Sequence, residues 1–142
     1  MVMAVATQTI RVSLLDDHAL VRLGLSRFIE LQPDLVVTGS YGSSVEALQE
    51  LGHTHTDVLV LDYALAPGNL GGCELILVLK ALHPGLSIIV LTASIDEERV
   101  SACLKAGAAG VAHKRLPLPE LMDAIRAIHK GQRFVDSSLS NP

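Results

Sequence analysis

Short unbroken runs of Val, Ile and Leu alternate along the chain with longer stretches whose apolar residues recur every three or four positions. Runs of the first kind predict buried strands and those of the second predict amphipathic helices. Ile10–Leu15 predicts a strand that stops at Asp16 and Asp17. Residues 18–32 predict a helix with Leu20, Val21, Leu25, Phe28 and Ile29 to one side, closed by Pro33. A second strand is expected over 35–39. Ser43 or Ser44 then caps a helix running to about Leu51, with Glu46 in its first turn. The aliphatic run 58–61 ends at Asp62 and is followed by a loop of Gly, Pro and Asn up to Gly71. Residues 73–82 predict a helix before Pro84, and 87–91 a fourth strand ending at Thr92. A helix over 96–106 closes on Gly107, which suits a left-handed cap. Gly110–His113 is a short fifth strand ending at Lys114, and 119–130 is the last helix. The final GQRFVDSSLSNP is polar and is expected to fray.

Five strand–helix units predict an α/β fold with a parallel sheet covered on both faces. Right-handed crossovers leave few topologies, and the doubly wound, flavodoxin-like order 2-1-3-4-5 is expected. The 142 residues form one domain over 9–131, with a tail at 1–8 and a tail or linker start at 132–142.

Composition narrows the function. Aromatics are 3% with no Trp, which argues against base-stacking platforms. Eleven basic residues against fifteen acidic ones give a net charge of -4, without the basic footprint of a DNA-binding domain. The mean hydropathy of +0.42 reflects a well-buried sheet. No apolar run approaches the roughly 18 residues of a membrane span, and the N-terminus lacks signal-peptide features. The two cysteines, Cys73 and Cys103, are expected as free thiols in a cytoplasmic protein.

In an open parallel sheet, ligands bind beyond the carboxyl ends of the strands. The expected order therefore brings Asp16, Asp17, Asp62, Thr92 and Lys114 into one shallow cleft. Clustered carboxylates repel one another and resist ionising together. A hard divalent cation relieves this, and oxygen ligands with an open shell suit Mg²⁺. A carboxylate beside such a cation can attack phosphorus to form an aspartyl phosphate. The cation, an ammonium and a hydroxyl then share the phosphoryl charge. A helix cap and a first-turn acid would explain Asp16 and Asp17 separately. Beside Asp62 and Lys114 the cation site is the better reading.

These residues lie in LLDDHAL, LVLDYAL, IIVLTAS and VAHKRLP, with thirty positions from Asp62 to Thr92 and twenty-two from Thr92 to Lys114. In that pattern the chain resembles the CheY-like receiver domain of bacterial two-component response regulators. The resemblance implies that Asp62 is the phosphoacceptor for a sensor histidine kinase or phosphotransfer protein. It implies that Asp17, Asp62 and the Ala64 carbonyl hold Mg²⁺, with Asp16 assisting through water. It assigns phosphate binding and switching to Thr92, Ala93 and Lys114. DDHALVRLGL and GQRFVDSSLS are similar to the LuxR/NarL-type subfamily, whose members carry a C-terminal helix-turn-helix, and LSIIVLT is similar to its capsule-synthesis regulators. Transcriptional output and any DNA contact would then need a domain this chain does not include. The chain is read as an excised or a stand-alone receiver, with homodimerisation possible.

The sequence also departs from the family pattern. The loop after Asp62 reads ALAPGNLGG where Met-Pro is usual, Arg115 and Leu116 separate Lys114 from Pro117, and Val111 stands where many receivers have an aromatic switch. Val111 is short and stiff at χ1, so output is expected as backbone movement around Ala93 and Ser94 and of the helix near Asp96. Alternatives are a degenerate receiver acting as an interaction module and a haloacid-dehalogenase-type phosphohydrolase. The latter needs an acid two residues after its nucleophile, where this chain has Ala64. A flavodoxin is disfavoured because Asp16 and Asp17 would repel a flavin phosphate. His18 is expected as a helix start at the site mouth, His113 points away from the cleft, and His53-x-His55 is a solvated loop. A true enzyme is not expected beyond self-phosphorylation and slow dephosphorylation.

Overall fold

The computed structural model describes residues 9–94 and 96–136. The tail at 1–8 and the final residues of the expected C-terminal tail lie outside them. The chain alternates β1 (Ile10–Leu15), α1 (Ala19–Glu30), β2 (Leu35–Tyr41), α2 (Ser44–Glu50), β3 (Val58–Asp62), α3 (Gly72–Leu82), β4 (Ser87–Thr92), α4 (Glu97–Ala106), β5 (Gly110–His113), α5 (Leu118–His129) and β6 (Phe134–Val135). All neighbouring strands pair in parallel, in the order β2-β1-β3-β4-β5-β6.

The expected order 2-1-3-4-5 is present and carries one strand more. Phe134 and Val135, expected in a frayed end, pair with Gly110 and Val111. Phe134 N–H donates to Ala109 O and Asp136 N–H to Val111 O. The Asp136 carboxylate then accepts from His113 N–H at 2.9 Å, so a side chain continues the ladder where the strand ends. Gly110 makes the approach possible: a Cβ there would stand 2.9 Å from the Phe134 carbonyl oxygen and from Ile128 Cδ1.

Two cores flank the sheet. On one face Leu59, Leu61, Ile88, Val90 and Val111 pack with Leu75, Ile76 and Leu79 of α3 and Val100 and Cys103 of α4. On the other, Val12, Leu14, Val60 and Ile89 meet Leu25 and Ile29 of α1 and Leu121, Met122, Ile125 and Ile128 of α5. This is why β3 reads as a continuous aliphatic run: all five of its residues are buried, alternately toward the two layers.

Helix starts follow local chemistry. Ser43 caps α2 by accepting from Glu46 N–H, while the Glu46 carboxylate reaches back to the N–H of Gly42, one residue before the cap. Asp96 caps α4 by accepting from Arg99 N–H at 2.7 Å. Gly107 closes α4 at φ 118°, a left-handed conformation that L side chains rarely adopt.

Candidate functional site

The carboxyl ends of β1, β3, β4 and β5 lie side by side, and backbone bonds hold them level. Tyr63 N–H donates to Leu91 O, Lys114 N–H to Thr92 O, and Asp16 N–H to Tyr41 O. The residues that follow each strand are therefore presented on one rim.

Asp62 is the last residue of β3 and is 2% exposed. Its Oδ1 receives the Lys114 ammonium at 2.9 Å and Ala64 N–H at 3.2 Å. Burial pushes its carboxyl above the ordinary range, and Asp16 adds to this; the Lys114 hydrogen bond opposes it without prevailing. Asp16 and Asp17 follow β1. Asp16 Oδ1 accepts from His18 N–H at 2.8 Å and stands 2.9 Å from His18 Nδ1. Asp17 Oδ2 accepts from Ala66 N–H at 3.1 Å, which ties the loop after β3 to the site.

Asp17 Oδ1 and Asp62 Oδ2 are buried without a hydrogen-bond partner among the described residues. His18 Nδ1 passes 3.2 Å from Asp17 Oδ1 but is hydrogen-bonded to Asp16. One ligand atom each from Asp16, Asp17, His18 and Asp62 falls within 4.8 Å of the others. Two orphaned carboxylate oxygens facing such a cluster are the donor set of a hard cation, and the residues present fit Mg²⁺. Asp16 and Asp17 raise the pKa of His18, the Asp16 hydrogen bond most strongly. His18 caps the start of α1 as expected, and it also closes the rim of the acidic cluster.

Thr92 is placed at the end of β4 as expected, and its hydroxyl faces other partners than Asp62. Oγ1 donates to Ser94 O at 3.1 Å, accepts from Ser94 N–H at 3.3 Å and accepts from Arg99 Nη1 at 3.1 Å. Arg99 also donates to Ser94 O at 3.1 Å, and its guanidinium lies 4.4 Å from the centre of the Tyr63 ring. Neither Arg99 nor Tyr63 was singled out by the sequence. Arg99 sits one turn into an ordinary charged helix start, and only the tertiary fold brings it over the residue after Asp62. Ala93 is exposed beside Thr92, and Val111 is fully buried in the α3–α4 core.

Cys73 is half-buried rather than buried, and His113, expected to point away from the cleft, lines the recess beside the acids. Cys103 is buried, and burial pushes its thiol up to about 12, so it behaves as a small apolar residue. His55 pairs with Asp57 at 2.9 Å just before β3 begins, at the opposite end of that strand from Asp62. Beside the acids, between α1 and the start of α5, lies an apolar recess of about 420 Å³ whose walls include Leu20, Val21, Leu116 and Leu118. Among the described residues, no helix is long and apolar enough to cross a membrane.

Comparison with known proteins places this geometry. The profile of the response regulator receiver domain matches residues 12–126. The oxygen regulatory protein NreC of Staphylococcus epidermidis is 34% identical over 130 residues, covering 92% of this chain and 59% of that protein. The chain thus spans somewhat over half the length of this curated relative. Among solved structures, the isolated receiver domain of RcsB from Salmonella enterica serovar Typhimurium, in the presence of the phosphomimetic BeF3-, superposes with a TM-score of 0.84 at 29% identity, over 94% of this chain and 97% of that one. A LuxR-family two-component response regulator from Aurantimonas sp. SI85-9A1 superposes at 0.86 with 31% identity, over 94% of each chain.

Proposed function

The chain belongs to the response regulator receiver domain family, and on that premise we propose that Asp62 accepts a phosphoryl group from the phosphohistidine of a sensor kinase or phosphotransfer protein. The observation that carries this reading is Asp62 itself. It is a carboxylate at a buried strand end, with one oxygen held by Lys114 and the other without a partner beside two further acids. Members of the family are regulators rather than classical enzymes, and the same role is assigned here.

In the transfer, a carboxylate oxygen of Asp62 attacks phosphorus. An acyl–phosphate P–O bond forms, the P–N bond of the donor breaks, and the electron pair returns to the imidazole. Lys114 and the Ala64 N–H hold the carboxylate in place through Oδ1, while Oδ2 faces the acids that would share the cation. Lys114 is positioned to follow the negative charge as it moves onto the phosphoryl oxygens. Asp16, Asp17 and Asp62, with the Ala64 carbonyl, would hold Mg²⁺. When bound, that ion neutralises the acids and shields the incoming phosphoryl group from them. The apolar recess beside Leu20 and Val21 supports docking of a donor protein against the same rim. Output is then a conformational change that controls transcription in the cytoplasm, through homodimerisation or a DNA-binding domain outside this chain.

Incubation with acetyl phosphate and Mg²⁺, followed by intact-mass measurement, should show one added phosphoryl group. Asp62→Asn should show none, and labelling of that variant at the wild-type level would remove the assignment. A generic phosphate ester should not be turned over, since Ala64 cannot act as the acid–base of a phosphohydrolase.

A further inference from the structure

The Thr92 hydroxyl has no capacity left. It has one proton to give and two lone pairs to accept with. The proton goes to Ser94 O, and the lone pairs take Ser94 N–H and Arg99 Nη1. A hydroxyl so engaged cannot also serve a phosphoryl oxygen on Asp62.

We propose that Arg99 is a latch on Thr92. Its guanidinium, seated on the Tyr63 ring, holds the hydroxyl in the Ser94-bonded arrangement and lets go when Asp62 is phosphorylated. This rests on the reading of Asp62 as phosphoacceptor and goes beyond it, because it assigns a positioning residue outside the acidic cluster.

Three features support the latch. Arg99 Nη1 bridges Thr92 Oγ1 and Ser94 O, each at 3.1 Å, so one cation holds both partners of the turn together. The cation rests on the face of Tyr63 at 4.4 Å, and the Asp96 cap fixes the backbone from which it extends. Release also costs Ser94 little. When the Thr92 proton turns toward a phosphoryl oxygen, Ser94 O keeps its bond from Arg99. Thr92 gives up its own bond to Ser94 O as well, and the Arg99 bond is the part of the opposition that comes from α4. Breaking that bond removes one tie between the end of β4 and the first turn of α4, the helix through which output was expected. Val111 is a small buried side chain that leaves this role unfilled. Arg99 and Tyr63 offer a path from the phosphoryl group to α4 that does not need an aromatic ring on β5.

In a two-state description, the latch reduces the population competent to close on a phosphoryl group, and apparent affinity falls by that fraction. Beryllofluoride binding in Mg²⁺, measured on the full chain, reads this without a chemical step. Arg99→Ala should bind about threefold to tenfold more tightly than wild type, the scale of one charge-assisted hydrogen bond partly exposed to water. In a Thr92→Ala background the same substitution should change affinity little, because the latched group is gone. Before any analogue is added, the Thr92 side chain should occupy one χ1 rotamer in wild type by NMR couplings and average between rotamers in Arg99→Ala. Equal affinity of Arg99→Ala and wild type overturns the latch, and so does an equal gain with and without Thr92. If wild type binds no beryllofluoride, the phosphoacceptor reading fails instead. The analogue-free rotamer measurement then decides the latch, and an unchanged single rotamer in Arg99→Ala overturns it.

Discussion

Lys114 and Asp62 show how a single contact serves two ends. The ammonium offsets a carboxylate that burial and Asp16 would otherwise hold toward its neutral form. Lys114→Ala leaves that carboxylate among acids with only Ala64 N–H for support. The variant should lose about 1–2 kcal/mol in urea unfolding, a partly exposed pair being worth less than a fully buried one. Adding Asp62→Asn should recover most of the loss, since the double variant no longer buries an unpaired charge. Residue identity at the strand ends was legible along the chain because Asp16, Asp62 and Thr92 directly follow aliphatic runs and Asp17 and Lys114 stand one residue further on. What each one touches was not, and Thr92 shows the difference. Its position follows from β4, but its hydroxyl is spent on Ser94 and Arg99.

Elements were legible to within a residue or two wherever the pattern was long. β1 and β5 keep the predicted bounds, and α1, α3, α4 and α5 differ from expectation only at their ends. β2 extends to Tyr41 rather than Gly39 because its last residues continue to pair with Ser13, Leu14 and Leu15 beyond a bulge. β6 was missed because two residues carry no period, and what makes them a strand is the bare face of Gly110. Gly110→Ala should cost about 1–3 kcal/mol through overpacking against backbone that cannot yield. Amide exchange should show residues 134–136 losing protection before the rest of the sheet. Uniform loss across the sheet would separate β6 from this cause. The α5 helix is fastened by Arg126, which grips both oxygens of Asp34 at 2.8 and 3.0 Å and also reaches Gln32. That grip lowers the Asp34 carboxyl below its ordinary value, against a smaller effect of burial. A lowered carboxylate contributes stability that is fully present above its unfolded value and lost as pH falls through its folded value. Asp34→Asn should therefore cost about 1 kcal/mol at neutral pH. The gap to wild type should close once the pH falls below the ordinary 3.8 through the lower folded value.

At the scale of the whole molecule, the two cores hold the sheet while its carboxyl edge carries uncompensated charge. Among the described residues Asp17 Oδ1 and Asp62 Oδ2 have no hydrogen-bond partner, so a cation that binds only the folded chain should stabilise it by mass action. Millimolar-scale Mg²⁺, on the order of a weak site's affinity, should raise the Tm. Asp17→Asn should strongly weaken that rise, and scanning calorimetry with and without chelator measures both. The sequence by itself determined the parallel α/β class, the five-strand order and the meeting of three acids with a lysine. These follow from local period and from handedness, which every segment carries within itself. Only the tertiary structure decided that β6 closes the sheet and that Arg99 stands on Tyr63 to hold Thr92. Those are contacts between side chains on separate elements, and their geometry depends on how helices settle against a twisted sheet. No pattern along one segment encodes it.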